Sequence, residues 1–138
     1  MNKSFLILQD GYEGGAPKMG REIHSILEDN GIKNKLINLS DIVEFAYLKS
    51  ITSSLTSYEA KVFLVYEFLK NQNNNYDIVI VNSSRAGYAV TAAKSFGLIV
   101  YFYLHEGPEQ LSIEMHQRNM QYMDLVNADY ILNASRLS

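Results

Sequence analysis

Three short runs of uninterrupted apolar residues restrict this chain more than anything else in it. They are Phe5-Leu6-Ile7-Leu8, Ile78-Val79-Ile80-Val81 and Leu98-Ile99-Val100-Tyr101-Phe102-Tyr103-Leu104. A strand with one face in water alternates apolar and polar residues. A run of four to eight β-branched and aromatic residues without alternation fits a strand covered on both faces. Strands of that kind are typical of parallel sheets, whose crossover helices supply the cover.

The segments between the runs carry the helical period. Met19, Ile23, Ile26 and Leu27 form one stripe, and Leu55, Val62, Val65, Tyr66 and Leu69 a second. Ala89, Ala92, Ala93 and Phe96 form a third, and Leu111, Met115, Tyr122 and Val126 a fourth. Gly31 and Gly97 stand where the first and third helices should stop. Two weaker strands are expected over Lys35–Leu39 and Asp129–Ala134, and a short extra one around Phe45–Leu48 in the irregular stretch 40–54. The polar run Asn71-Gln72-Asn73-Asn74-Asn75 reads as a loop between ordered segments. The order β-α-β-α-β-α-β-α-β predicts an α/β fold, a Rossmann-like, doubly wound, mostly parallel sheet with its first strand central.

The 138 residues fit one domain, 1–138. Cysteine is absent, which excludes a disulfide scaffold and a thiolate metal site. A net charge of −3 without a Lys/Arg stripe argues against nucleic acid as a partner. The longest apolar run, Gly97 to Leu104, is strand-sized and far short of the ~20 residues that cross a bilayer. No secretory leader precedes the first strand, so a cytoplasmic protein is expected.

Ligands of open α/β sheets bind beyond the carboxyl ends of the strands. Three loops lie there: Asp10-Gly11-Tyr12-Glu13-Gly14-Gly15-Ala16-Pro17, Asn82-Ser83-Ser84-Arg85-Ala86-Gly87 and His105-Glu106-Gly107-Pro108-Glu109. The glycines of the first let backbone N–H groups at a helix start approach a phosphate; the plainer reading is a turn. Pro17 suits a first helical turn. Neither a P-loop nor Gly-x-Gly-x-x-Gly is present, because Gly15-x4-Gly20 runs into Arg21-Glu22. Asp41, past the second strand, is either a ribose-binding acid or, with Ser40, a helix cap. His105 is a candidate hydrogen-bond donor or base, with a structural role as the alternative. His24 and His116 read as structural or surface residues. Glu109 stands where a His-Glu-x-x-His helix needs histidine, so no metal site is expected, nor any cofactor. Ser83 and Ser84 lack a nucleophile elbow, and Arg85 either meets a phosphate or carboxylate or is a solvated charge.

Taken in order, four pieces resemble the N-terminal domain of GT-B glycosyltransferases of family 4. A first strand leads into Gly14-Gly15-Ala16-Pro17-Lys18 and an amphipathic helix. Tyr76 to Ser83 resembles the family's strand from Asp to His or Asn. Leu98 to Glu106 resembles its strand ending in His and an acid, and Ala128 to Ser135 its Ala-Asp strand near the domain's end. The resemblance implies transfer of a sugar from a nucleotide-sugar donor to a sugar or lipid-linked acceptor. It implies that Gly14, Gly15 and Ala16 approach the donor phosphates and that His105 is catalytic. Asn82, Ser83, Arg85 and Glu106 would form the acceptor-side loops. Asn82 departs from the family, which often has His there. In that family a C-terminal domain with a paired-glutamate motif holds most of the nucleotide. The expectation is therefore half of an enzyme, inactive alone, whose C-terminal domain or separate partner chain supplies the rest. The longer parent would be cytoplasmic or peripheral to the membrane, and the half could pair as a homodimer through the uncovered face. From another class, a non-catalytic Rossmann- or flavodoxin-like ligand-binding or regulatory module also fits.

Overall fold

The computed structural model describes residues 3–11, 14–44, 46–51, 53–72, 76–105 and 107–133. Its elements run β1 (Phe5–Gln9), α1 (Gly15–Asp29), β2 (Asn34–Asn38), α2 (Ser40–Val43), α3 (Ala46–Ile51) and α4 (Ser57–Lys70). They continue with β3 (Ile78–Asn82), α5 (Tyr88–Ser95), β4 (Ile99–Leu104), α6 (Pro108–His116), α7 (Tyr122–Asn127) and β5 (Tyr130–Asn133). The five strands form one sheet in the order β2-β1-β3-β4-β5, and every pairing is parallel. Helices flank it on both faces, so the fold is α/β, Rossmann-like and doubly wound, in the order that flavodoxin-like proteins use. The first strand is interior but not the middle one. β3 takes the centre because the chain steps outward from β1 to β2 and then returns past β1.

The uninterrupted apolar runs are explained by a sheet with two unequal faces. Leu6, Leu8, Val79, Val81, Val100, Phe102 and Leu104 point to one side, into the main core with α4 and α5. That core includes Tyr58, Val65 and Leu69 of α4 and Tyr88, Ala89, Val90, Ala92 and Ala93 of α5. Ile7, Ile78 and Ile80 point to the other side, and α1 covers them. Gly20 lets α1 come close: a Cβ there would overlap Gln9 Oε1 and lie 2.8 Å from Asn82 Nδ2. Toward β4 and β5 this second face opens. Ile99, Tyr130 and Leu132 are exposed, and the Tyr101 and Tyr130 rings pack at 4.7 Å. Among the described residues α1 is the helix that covers this side, and its stripe is half-buried with Ile26 exposed, which periodicity cannot foresee.

Three helices end in the same way. After α1, Gly31 takes φ 66°, its N–H reaches Glu28 O and that of Ile32 reaches Leu27 O. After α5, Gly97 takes φ 82°, with N–H bonds from Gly97 to Lys94 O and from Leu98 to Ala93 O. These are Schellman closures at the two expected glycines. The third follows α6, where Arg118 takes φ 65°, its N–H reaches Met115 O and that of Asn119 reaches Glu114 O. The fourth stripe is therefore not one helix: it breaks at Arg118, and Tyr122 and Val126 lie exposed on α7. The extra strand expected around Phe45–Leu48 is also absent. Residues 46–48 belong to α3, which packs on α4, while Phe45 lies outside the described residues. Ala134 and Ser135 lie outside them as well.

Candidate functional site

The strand order reverses between β1 and β3, and their carboxyl ends open on a cavity of about 350 Å3. Its wall includes Asp10 after β1, Gly14 to Pro17 at the start of α1, Ser83 and Arg85 after β3, and Gln110 and Glu114 of α6.

The two glycines of the first loop differ. Gly14 is the N-cap of α1 with φ 105°, where a side chain is strained. Gly15 has ordinary backbone, and a Cβ built on it meets nothing within 4 Å. Neither backbone nor packing therefore demands glycine at 15, so a turn explains Gly14 and not Gly15. Among the described residues no side chain caps α1 and no acid lies in its first turn, so the partial positive charge of the helix start lies at the cavity wall.

Asn82 ties this loop to the rest of the site. It is fully buried, and its Nδ2 donates to Ala16 O at 2.7 Å and to Gln9 Oε1 at 3.1 Å. Ala16 O can only accept, so the amide orientation is determined and Oδ1 faces His105 Nε2 at 2.5 Å. His105 Nε2 consequently carries a proton and donates it to this bond. The His105 ring stacks on Tyr103 at 4.5 Å. The middle loop turns on Ser83, whose φ of 92° is strained for a non-glycine residue. Its Oγ accepts from Arg85 N at 3.1 Å, capping the 3-10 turn Ser84–Ala86. Arg85 is exposed at the cavity, so Arg85, Ser83 and the glycine loop share one wall. Glu106 lies outside the described residues.

Other expected residues lie apart. His24 Nδ1 meets Asn34 Oδ1 at 2.5 Å, tying α1 to β2, and His116 is exposed at the end of α6. Leu39 is the N-cap of α2, so Ser40 does not cap it; Ser40 Oγ donates to Asn38 Oδ1 at 2.9 Å. Asp41 lies in the first turn of α2 beside a separate hollow. Among the described residues no cluster of His, Asp and Glu is arranged to hold a metal, and no helix is long and apolar enough to cross a membrane.

Three charges that no sequence motif marks, the half-buried Asp10 and Lys61 and the buried Glu114, belong to the same region. Asp10 lies on the wall, and burial pushes its carboxyl above the usual range, against the pull of Arg85 and Lys61. Glu114 is buried, with Gln110 Nε2 donating to one oxygen at 2.8 Å and Asn119 Nδ2 to the other at 2.7 Å. Lys61 Nζ donates to Asn119 Oδ1 at 2.7 Å and lies 5.5 Å from the centre of the Tyr88 ring. Burial pushes the Lys61 ammonium down, countered by Asp10 and Glu114. Asp10 was legible, since it directly follows a strand. Glu114 and Asn119 were not, because the Arg118 turn makes their pairing. A second buried acid, Asp124, accepts from Tyr58, Thr91 and the Gln121 N–H, which satisfies it and marks it as structural. No family model matches this chain, and comparison with curated proteins finds no match.

Proposed function

We propose that this domain is the acceptor-side half of a glycosyltransferase that uses a nucleotide-sugar donor. The observation that carries the reading is Gly15, a glycine without a backbone or packing reason, at an uncapped helix start beside Arg85. Close approach of a donor phosphate supplies the missing reason. The resemblance to family 4 concerns the same loops, and His105 is joined to them through Asn82. In this reading the nucleotide is held mainly by another domain or chain. The protein alone then binds nucleotide-sugars weakly and transfers nothing.

A panel of nucleotide-sugars and hydroxylated acceptors, followed by release of free nucleotide, tests this. Silence from the chain alone, and activity once a nucleotide-binding half is supplied, is the expected pair of results. Robust turnover by the isolated chain contradicts the half-enzyme reading. The second reading, a ligand-binding module without catalysis, draws on the engagement of His105 Nε2 by Asn82. It predicts ligand binding with no transfer under either condition.

A further inference from the structure

A second hollow, of about 520 Å3, opens at the carboxyl end of β2 and shares no wall residue with the switch-point cavity. Ile37 of β2, Ile42 of α2 and Phe68 of α4 give it an apolar side. Two amides that are neighbours across β1 and β2, Gln9 and Asn38, also border it. Gln9 is 3% exposed, and its Oε1 accepts from Asn82 Nδ2, whose orientation Ala16 O determines. Asn38 Oδ1 accepts from Gly11 N at 2.9 Å and from Ser40 N at 3.1 Å. A backbone N–H only donates, so this amide is oriented as well. Among the described residues neither Gln9 Nε2 nor Asn38 Nδ2 has a hydrogen-bond partner. A buried amide nitrogen without a partner is unfavourable and points to an acceptor from outside the chain.

The oxygens of both amides are taken and their nitrogens are not, beside an apolar side. A carbonyl oxygen carried next to a methyl group complements that pair, and an acetamido group has both. Arg21 and Asp41 are exposed at the same hollow and opposite in sign, so a charged ligand attracted by one is repelled by the other. Hydroxyl groups suit the two together, since they donate to a carboxylate and accept from a guanidinium. We propose that this hollow binds an N-acetylated sugar. The acetamido carbonyl accepts from Gln9 Nε2, its methyl group lies against Ile37, Ile42 and Phe68, and ring hydroxyls meet Arg21 and Asp41. An acetylated lysine shares the acetamido group but brings no hydroxyls to Arg21 and Asp41. The inference names the chemical class of the acceptor and rests on the function proposed above for that role. The binding itself uses neither Gly14, Gly15 nor His105.

Amide-shift titrations of the 138-residue chain with methyl N-acetyl-β-glucosaminide, methyl β-glucoside and a capped, uncharged ε-acetyl-lysine test it. The acetamido sugar is expected to bind about 10-fold tighter than the glucoside, the equivalent of one added hydrogen bond, with shifts at Gln9, Asn38 and Asp41. Gln9→Glu keeps the acceptor for Asn82 and removes the donor, and is expected to abolish the preference. Asp41→Ala changes an exposed residue outside the core, so it tests the site without a change in folding. It is expected to weaken both sugars and leave acetyl-lysine unaffected. Equal or undetectable binding of the two sugars overturns the proposal, as does acetyl-lysine binding as tightly as the acetamido sugar. Acetamido-sugar binding by a protein whose UDP-glucose shifts survive Gly15→Val removes the transferase reading and leaves this site standing.

Discussion

Burial raises the Asp10 carboxyl above its ordinary value of about 3.9, so the folded chain disfavours the ionised form. The folded state then holds the proton more firmly than the unfolded one. The corresponding stability is complete below about pH 3.9 and is lost as pH rises through the folded value. Asp10→Asn removes that loss. Its Tm is expected to exceed the wild type's at pH 7, with the gap closing by pH 4; an equal gap at both would contradict the assignment. His105 makes a different residue-scale case. From sequence alone a loop histidine contributes little to folding, but its bond to buried Asn82 means that His105→Ala strands an amide oxygen. The variant is expected to lose about 1 kcal/mol of stability. In a complete transferase it should lose 10²–10⁴-fold in rate. Stability lost at unchanged rate would leave His105 structural.

At the scale of elements, the three Schellman closures separate what residue identity announces from what it conceals. Gly31 and Gly97 mark the ends of α1 and α5 because glycine accepts positive φ without strain. Arg118 does the same job after α6 with a residue that gives no signal, and so the fourth stripe read as one helix. Arg118→Gly should relieve that strain and stabilise the protein by about 1 kcal/mol in a chemical denaturation series. Unchanged or reduced stability would mean that the Arg118 side chain contributes more than its backbone costs. Gly87 shows close approach as well, since a Cβ there would overlap Met120 Cβ. Gly87→Ala is expected to cost roughly 1–3 kcal/mol by forcing α5 from the α6–α7 connection. A neutral result would show that this connection yields.

Over the whole molecule, the layered fold was legible because buried parallel strands leave an unmistakable apolar signature, as in Ile78–Val81. The inequality of the two faces was not, since it depends on the crossover of each helix. The site was legible where a glycine or charge directly follows a strand, as at Gly15, Arg85 and Asp10. It was hidden where it is assembled from helix residues, as at Lys61 and Glu114. The open side of β4 and β5 carries Ile99, Tyr130 and Leu132, all exposed and uncharged, and apolar surface of this kind favours self-association. Sedimentation should show a concentration-dependent dimer that Leu132→Lys dissociates, and a monomer at every concentration would contradict a homodimer through this face. A phosphate held at the switch point is the central element of the proposed function. Amide shifts of the ¹⁵N-labelled chain titrated with UDP-glucose test it most directly, with Gly15→Val as the control. The predicted result is a set of shifts confined to Gly14, Gly15, Ser83 and Arg85, abolished by valine at an unchanged Tm. Shifts centred elsewhere, or shifts at these residues that survive Gly15→Val, would contradict it.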